Sequence, residues 1–273
     1  MNKVRKPVVA GIFYPAEQQK LQDEINLLLS LSKNESKLPK ITGMISPHAG
    51  YIYSGRTASY AFNLLKGYNY KNVIILSPSH REYFPGISIY DGDAFETPLG
   101  IIPINNTLTE RIINGSKTIF KSTTGHKEEH AIEVQIPFLQ TVLKDFSVVP
   151  IVMGDQGKSF VDELAAKLFE VIDENTLIVA SSDLSHYHSK YEANQLDSIV
   201  EKRVADFDFD GLQNDLENKV CEACGGGPVV AMMKAAFRVN KRNSIILNRS
   251  DSGDTSGDNS EVVGYLSAAV YGD

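Results

Sequence analysis

The stretch Ile41–Gly55, ITGMISPHAGYIYSG, decides how the rest of the chain is read. It begins as a short apolar run, the pattern of a buried strand. Ser46-Pro47 breaks that run, and His48 follows beside Gly50. A helical pattern then opens near Gly55 and is expected to reach Leu65. A histidine at a strand end, in a loop before a helix, is well placed for chemistry, because ligands of open α/β sheets bind outside the carboxyl ends of strands. Asn72–Leu76 repeats the plan: an apolar strand ends in Ser77-Pro78-Ser79-His80. Two such turns put His48 and His80 at one edge of a sheet.

Working outward, Phe146–Met153 and Thr176–Ala180 read as further buried strands, with a helix at Phe160–Ile172 between them. Strands alternating with helices imply an α/β fold, a mainly parallel central sheet with helices on both faces. Upstream, Val8–Tyr14 reads as a strand or extended arm ended by Pro15. Ala16–Leu31 reads as a helix with Leu21, Ile25, Leu28 and Leu29 on one face, and Lys33–Lys40 as a loop. Ile87–Tyr90 alternates like a strand. Ile101-Ile102 follow a turn, and Thr107–Ile113 suits a short helix. Glu129–Leu143 reads as a helix kinked or broken at Pro137. Tyr191–Phe207, Asp210–Asn218 and Val229–Phe237 read as helices, and Ser244–Asn248 and Val262–Val270 as strands. Arg249–Ser260, rich in Ser, Gly and Asp, reads as a mobile loop able to act as a lid. No repeat or clean linker divides the chain, so residues 1–273 are expected to form one domain.

Composition narrows the function. A chain of 273 residues is long enough to bury about 75% of its unfolded surface, so no covalent staple is needed. A net charge of −7 argues against nucleic acid or an anionic membrane as the main partner. There is no apolar run of about 18 residues to span a membrane, and the N-terminus lacks the apolar core of a signal peptide. Cys221 and Cys224, the only two cysteines, do not describe a secreted disulfide framework. Cytoplasmic residence is the expectation.

The six histidines, His48, His80, His126, His130, His186 and His188, all lie in turn-like contexts. Val179–His186 is a third strand end. Asp183 and His186 lie three apart there, a spacing that lets a carboxylate orient a ring. No Gly-x-Ser-x-Gly elbow accompanies them, so a serine hydrolase reading is weak. His188 is expected to be solvated. In Gly125–Glu133 the acids read as helix-dipole charges, while His130 and Glu133 share a face and could join one site. The Cys221-x-x-Cys224 pair suits a redox couple or half a zinc knuckle, but a second such pair is missing. Cys224 also precedes Gly225–Gly227 and a helix start, a position that lowers a thiol pKa. Gly154–Ser159 mimics a phosphate-binding loop, but Val152 stands where its first glycine is required.

Together these motifs resemble a known family. PHAGYIYSG, SPSH, EEHAIEVQIPFL, SSDLSHY and CGGGP, after an opening KPVVAGIFYP, occur in the order of the Memo family. Its bacterial and archaeal members are called AmmeMemoRadiSam system protein B. The family is similar in fold to the catalytic subunit of class III extradiol ring-cleaving dioxygenases, which are non-haem iron(II) enzymes. The resemblance implies that His48, His80 and Cys224 are metal ligands, with His186 as the pocket acid/base and Asp183 as its acidic neighbour. Cys221 matches nothing in the pattern, while Tyr51 and Tyr53, by their position, could line the pocket or simply pack beside the loop. Two histidines and a thiolate replace the two histidines and carboxylate of the dioxygenases. That change leaves iron(II) as the leading metal and raises copper and zinc. The implied function is an iron-dependent oxidoreductase acting on an unidentified small molecule. A peptide- or ligand-binding protein using the same pocket and a zinc hydrolase are the alternatives. The family name suggests a radical-SAM partner, although this chain has no CxxxCxxC iron–sulfur pattern.

Overall fold

The computed structural model describes residues 3–32 and 38–272. The chain opens on a short strand, β1 (Val4–Arg5). Val8–Tyr14 is not the expected strand: it folds into a turn in which Phe13 N donates to Val9 O and Gly11 takes φ 82°. Helix α1 (Gln18–Leu31) follows and buries Leu21, Ile25 and Leu29, with Leu28 at the margin of that face. Of the expected loop Lys33–Lys40, residues 33–37 lie outside the described residues. Strand β2 (Gly43–Ser46) leads into a π-helical turn at Tyr51–Gly55 and then α2 (Arg56–Asn63). Next come β3 (Asn72–Pro78), β4 (Ile87–Tyr90), a hairpin of β5 (Ala94–Thr97) and β6 (Gly100–Pro103), α3 (Asn106–Ile113) and β7 (Ile119–Ser122).

The helix expected from Glu129 begins later. A single 3-10 turn covers Glu133–Gln135, and α4 spans Ile136–Val142. Pro137 therefore sits in the first turn, where its missing N–H has no helical partner to lose. It marks the start of this helix and not a kink in a longer one. After it come β8 (Ser147–Met153), α5 (Lys158–Phe169), β9 (Thr176–Ser181), β10 (His186–His188) and α6 (Lys190–Ala205). The chain ends with α7 (Phe209–Glu217), α8 (Gly226–Arg238), β11 (Asn243–Asp251), α9 (Gly253–Ser256) and β12 (Val262–Tyr271). The expected lid at Arg249–Ser260 is tied into the structure: β11 runs through Asp251, α9 follows, and Lys190 Nζ binds Asp251 and Asp254.

The large sheet runs β10-β12-β2-β9-β3-β8-β4-β7, with β11 paired to β12. Its centre, β2, β9, β3 and β8, is parallel, while β12 and β4 join it antiparallel. The fold is thus the expected α/β sheet between helical layers, parallel through its central strands. The period of two along each strand sorts residues onto the two faces. Ile74 and Leu76 of β3 pack with α5 and α8 residues such as Leu164 and Val230, whereas Val73 and Ile75 pack with α1, α2 and α4 residues such as Leu21, Phe62 and Phe138. No helix among the described residues is long and apolar enough to cross a membrane.

One buried ion pair pins the N-terminal segment to the turn before α4. Glu133, wholly buried, accepts from Arg5 Nη1 at 2.7 Å, from the Tyr14 hydroxyl at 2.7 Å and from the Val8 and Val9 backbone. Arg5 also donates to the His126 and Glu129 carbonyls at 2.8 and 2.5 Å. Removing one partner of a buried pair leaves an uncompensated charge. Glu133→Ala is therefore expected to cost about 3–5 kcal/mol of stability in urea unfolding. Tyr14→Phe, which removes one hydrogen bond, should cost about 1 kcal/mol.

Candidate functional site

Strands β2, β9 and β3 lie side by side and parallel, so their carboxyl ends open on one rim. His48 stands two residues beyond β2, Asp183 two beyond β9 and His80 two beyond β3. Cys224 arrives from the α7–α8 loop. Its N–H donates to the Asp183 carbonyl and its Sγ accepts from the Asp183 N–H, both at 3.2 Å. Gln156 holds the loop from the other side: Nε2 donates to the Cys224 carbonyl at 2.8 Å and Oε1 accepts from Gly227 N at 2.7 Å. Gly225 is required there, since a Cβ at that position would strike the Ser181 carbonyl.

The hydrogen bonds around the two histidines decide their tautomers. The Ser181 hydroxyl donates to the Ala131 carbonyl at 2.8 Å and accepts from Gln135 Nε2 at 2.8 Å. Its one proton is committed, so His48 Nδ1, 2.9 Å away, must be the N–H donor. The lone pair is then on Nε2, which faces Cys224 Sγ at 3.2 Å. At His80, Nδ1 meets Glu129 Oε1 at 2.9 Å, and a carboxylate only accepts. Nε2 is again the free atom. One ligand atom from each of His48, His80 and Cys224 falls within 4.8 Å of the others, a group that could hold a metal ion.

Electrostatics of the buried rim follow from its desolvation. Burial drives the His48 pKa well below its ordinary value, so the ring stays neutral, the form that binds metal. Burial pushes the Cys224 thiol up, and the neighbouring Asp183 carboxylate pushes it further. The lowering expected from the helix start is absent. A cation at the site would reverse that balance and draw the thiolate. Asp183 itself is raised by burial, against the His48 N–H that its Oδ1 accepts at 2.7 Å.

Of the two further residues at this rim, Glu129 was missed in sequence and His130 was offered as a site residue with Glu133 as its partner. Glu129, read as a helix-dipole charge, is buried and lies outside any helix. Burial raises its carboxyl, but hydrogen bonds from the His80 ring and from the His80 and Ala131 N–H groups more than offset this, holding it at about 2. His130 packs its ring 4.7 Å from His80 and 5.4 Å from His48, and burial lowers it to about 4. His80, Glu129 and His130 form a second group with ligand-like spacing. Glu129 Oε1, however, already accepts two hydrogen bonds there. The adjoining Glu-Glu-His of EEHAIEVQIPFL was the available signal.

Other expected partners lie apart. Asp183 does not orient His186, whose Nδ1 meets the Leu184 carbonyl at 2.9 Å. Glu133 faces Arg5 and does not join His130. His188 is partly exposed and paired with Glu222 at 3.0 Å. Tyr51 is a core residue whose hydroxyl donates to the Val134 carbonyl, while Tyr53 is half-exposed. Cys221 is buried among apolar residues, with its thiol pushed up to about 11 by burial and Asp215.

A model of the Memo-like protein family matches residues 5–269. The chain belongs to the Memo family. A MEMO1 family protein of Thermoplasma volcanium is 38% identical over 97% of both chains. One from Thermotoga petrophila is 36% identical over 98% of this chain and 99% of its own. The Memo fold here also resembles the solved structure of uncharacterized protein JW3007 from Escherichia coli K12, with a TM-score of 0.57. That match is 15% identical over 84% of this chain and 99% of that one, a likeness of fold alone.

Two measurements check this electrostatic account. His126 is buried, donates Nε2–H to the Ser88 carbonyl at 3.1 Å and leaves Nδ1 unpartnered. Burial lowers its pKa to about 3. Because the folded value is depressed, its contribution to stability is fully present above about pH 6.5 and is lost as pH falls toward the folded value. His126→Gln should therefore lose less stability than wild type between about pH 7 and about pH 4.5 in urea melts. With both thiols raised, the folded metal-free protein should react with iodoacetamide at pH 8 far more slowly than free cysteine, whose pKa is about 8.5. Denaturant should restore ordinary rates at both sites.

Proposed function

We propose that this Memo-family chain is an iron(II)-dependent oxidoreductase of a small-molecule substrate, with His48, His80 and Cys224 holding the metal. The observation that carries the reading is that both Nδ1 atoms are committed to protein partners, Nε2 of His48 meets Cys224 Sγ at 3.2 Å, and one ligand atom from each of His48, His80 and Cys224 lies within 4.8 Å of the others. The donor set fits a transition metal, since imidazole nitrogens and a thiol that deprotonates beside a cation suit iron, copper or zinc. Bound iron(II) would supply Lewis-acid and redox chemistry at the coordination positions that three protein ligands leave open.

The remaining roles belong to the chain's own groups. Ser181 and Glu129 keep the two rings oriented, as carboxylate and hydroxyl partners of metal-binding histidines do. Asp183 lies against the donor set, Oδ2 3.9 Å from His48 Nε2, and its raised carboxyl is suited to hold a proton there. His186 donates Nδ1–H to the Leu184 carbonyl, so its Nε2 is the atom available to accept or return a substrate proton. The thiolate also favours zinc. With zinc, the same residues suit hydrolysis by an activated water.

The test is metal content by mass spectrometry on protein purified without oxygen. Near-stoichiometric iron is expected in wild type and should be lost in His48→Ala and Cys224→Ser. Glu129→Ala should weaken metal affinity about 10–100-fold without removing a ligand. Zinc in place of iron would keep the site and move the chemistry to hydrolysis. A folded wild type that takes up none of iron, copper or zinc refutes the metal reading.

A further inference from the structure

Among the described residues, five other than glycine take a left-handed backbone conformation: Asp145, Tyr187, Phe207, Lys219 and Asn240. Four of them have an ordinary reason. Phe207, Lys219 and Asn240 each follow the C-cap residue of a helix, and Asp145 lies in the connection after α4. Left-handed residues commonly end helices. Tyr187, at φ 61°, stands instead inside β10, between His186 and His188. A bulky residue in that conformation within a strand is an outlier.

Its place in the sheet accounts for the conformation. His186 pairs with Val263 of β12 and His188 with Val262, so Tyr187 is the extra residue of a β-bulge. Both flanks are tied down: Leu184 N donates to the Gly264 carbonyl at 2.8 Å, His188 Nε2 meets Glu222 Oε2 at 3.0 Å, and Ser189 caps α6. In a regular strand His186 and His188 would share one face. The extra residue breaks that alternation, as bulges that re-aim side chains do. His186 lines the cavity that Cys224 also lines.

The bulge alone does not call for a tyrosine, because glycine or asparagine adopts a positive φ at less cost. Nor does packing call for it: Tyr187 is 73% exposed, and its hydroxyl has no hydrogen-bond partner among the described residues. Its aromatic contact is His186, with ring centroids 5.7 Å apart and planes at 67°, the edge-to-face arrangement that aromatic rings prefer. The ring retained on this strained backbone therefore acts on that imidazole.

We propose that Tyr187 is a positioning residue for His186. Its ring, carried on the bulge, keeps the imidazole turned so that Nδ1–H donates to the Leu184 carbonyl at 2.9 Å and Nε2 stays free. That the free Nε2 moves a substrate proton rests on the proposed function, whereas the positioning does not.

Nitrogen-15 NMR of the histidine rings tests this on the full-length, metal-free protein at about pH 8, where a neutral ring shows which nitrogen carries the proton. The His186 signals are assigned by their absence in His186→Gln. Wild type should hold His186 in the Nδ1–H tautomer alone. Tyr187→Asn keeps a residue suited to positive φ and removes the ring. It should turn His186 into a mixture of both tautomers while the urea midpoint stays at or above that of wild type, because strain is relieved. Tyr187→Phe keeps the ring and should keep the single tautomer. Tyr187→Leu also lacks the ring and carries the test if Tyr187→Asn does not fold. A single Nδ1–H tautomer in the variants without the ring, or its loss in Tyr187→Phe, would overturn the proposal. So would a midpoint of Tyr187→Asn well below that of wild type, which would leave the tyrosine a structural residue only. The expected tautomer change in a protein that takes up no metal would keep the positioning and remove only the proton-transfer role of His186.

Discussion

The Ser181 hydroxyl has one proton, and its destination sets the chemistry of the whole rim. Because that proton goes to the Ala131 carbonyl, His48 must donate from Nδ1 and present Nε2. Ser181 ends β9 beside Ser46, the last residue of β2, so the parallel register itself delivers the hydroxyl to the histidine. Ala131 and Gln135, which complete the bonds of Ser181, come from the turn before α4. That turn is in turn held by Glu133 and Arg5. The ion pair, the turn, the hydroxyl and the imidazole are thus one chain of satisfied polar groups. Each link is buried, where an unmet donor or acceptor is costly.

Burial also decides which charges the rim tolerates. At Glu129 three hydrogen bonds outweigh desolvation and the carboxylate is kept. At Asp183 the single strong donor, His48 N–H, does not outweigh it, and the pKa rises. The difference lies in how many N–H groups reach each carboxylate, since two or three are needed to overcome burial. The result is one fixed anion behind His80 and one protonatable acid beside Cys224.

How much of this was legible in sequence follows from what is local. The strands β2, β3, β8 and β9 could be read because each is a continuous apolar run buried on both faces. The strand-end histidines followed from them. Val8–Tyr14 misled because its apolar residues pack from a turn, and Arg249–Ser260 misled because β-pairing with β12 overrides a polar, glycine-rich composition. Glu129 could not be recognised by spacing. Its partner His80 is 49 residues away and meets it only through the order β9-β3-β8 and the loop before α4. Asp183 and His186 show the converse: proximity in sequence suggested a pair, but β10 turns the ring toward the Leu184 carbonyl.

Cys224 shows why a helix start is not enough to ionise a thiol. The dipole effect acts through the unsatisfied N–H groups of the first turn and is worth about 0.3–1 kcal/mol, up to about 2. Near the start of α8 those groups are already engaged: Gly225 N donates to Ser182 Oγ, Gly226 N to the Ala223 carbonyl and Gly227 N to Gln156 Oε1. The sulfur receives its N–H from Asp183 instead, whose carboxylate opposes the thiolate. The glycines therefore serve close approach and anchoring more than electrostatics. What they place beside His48 Nε2, within reach of the His80 ring, is a thiol held neutral by burial and Asp183, whose ionisation depends on a cation arriving at the site.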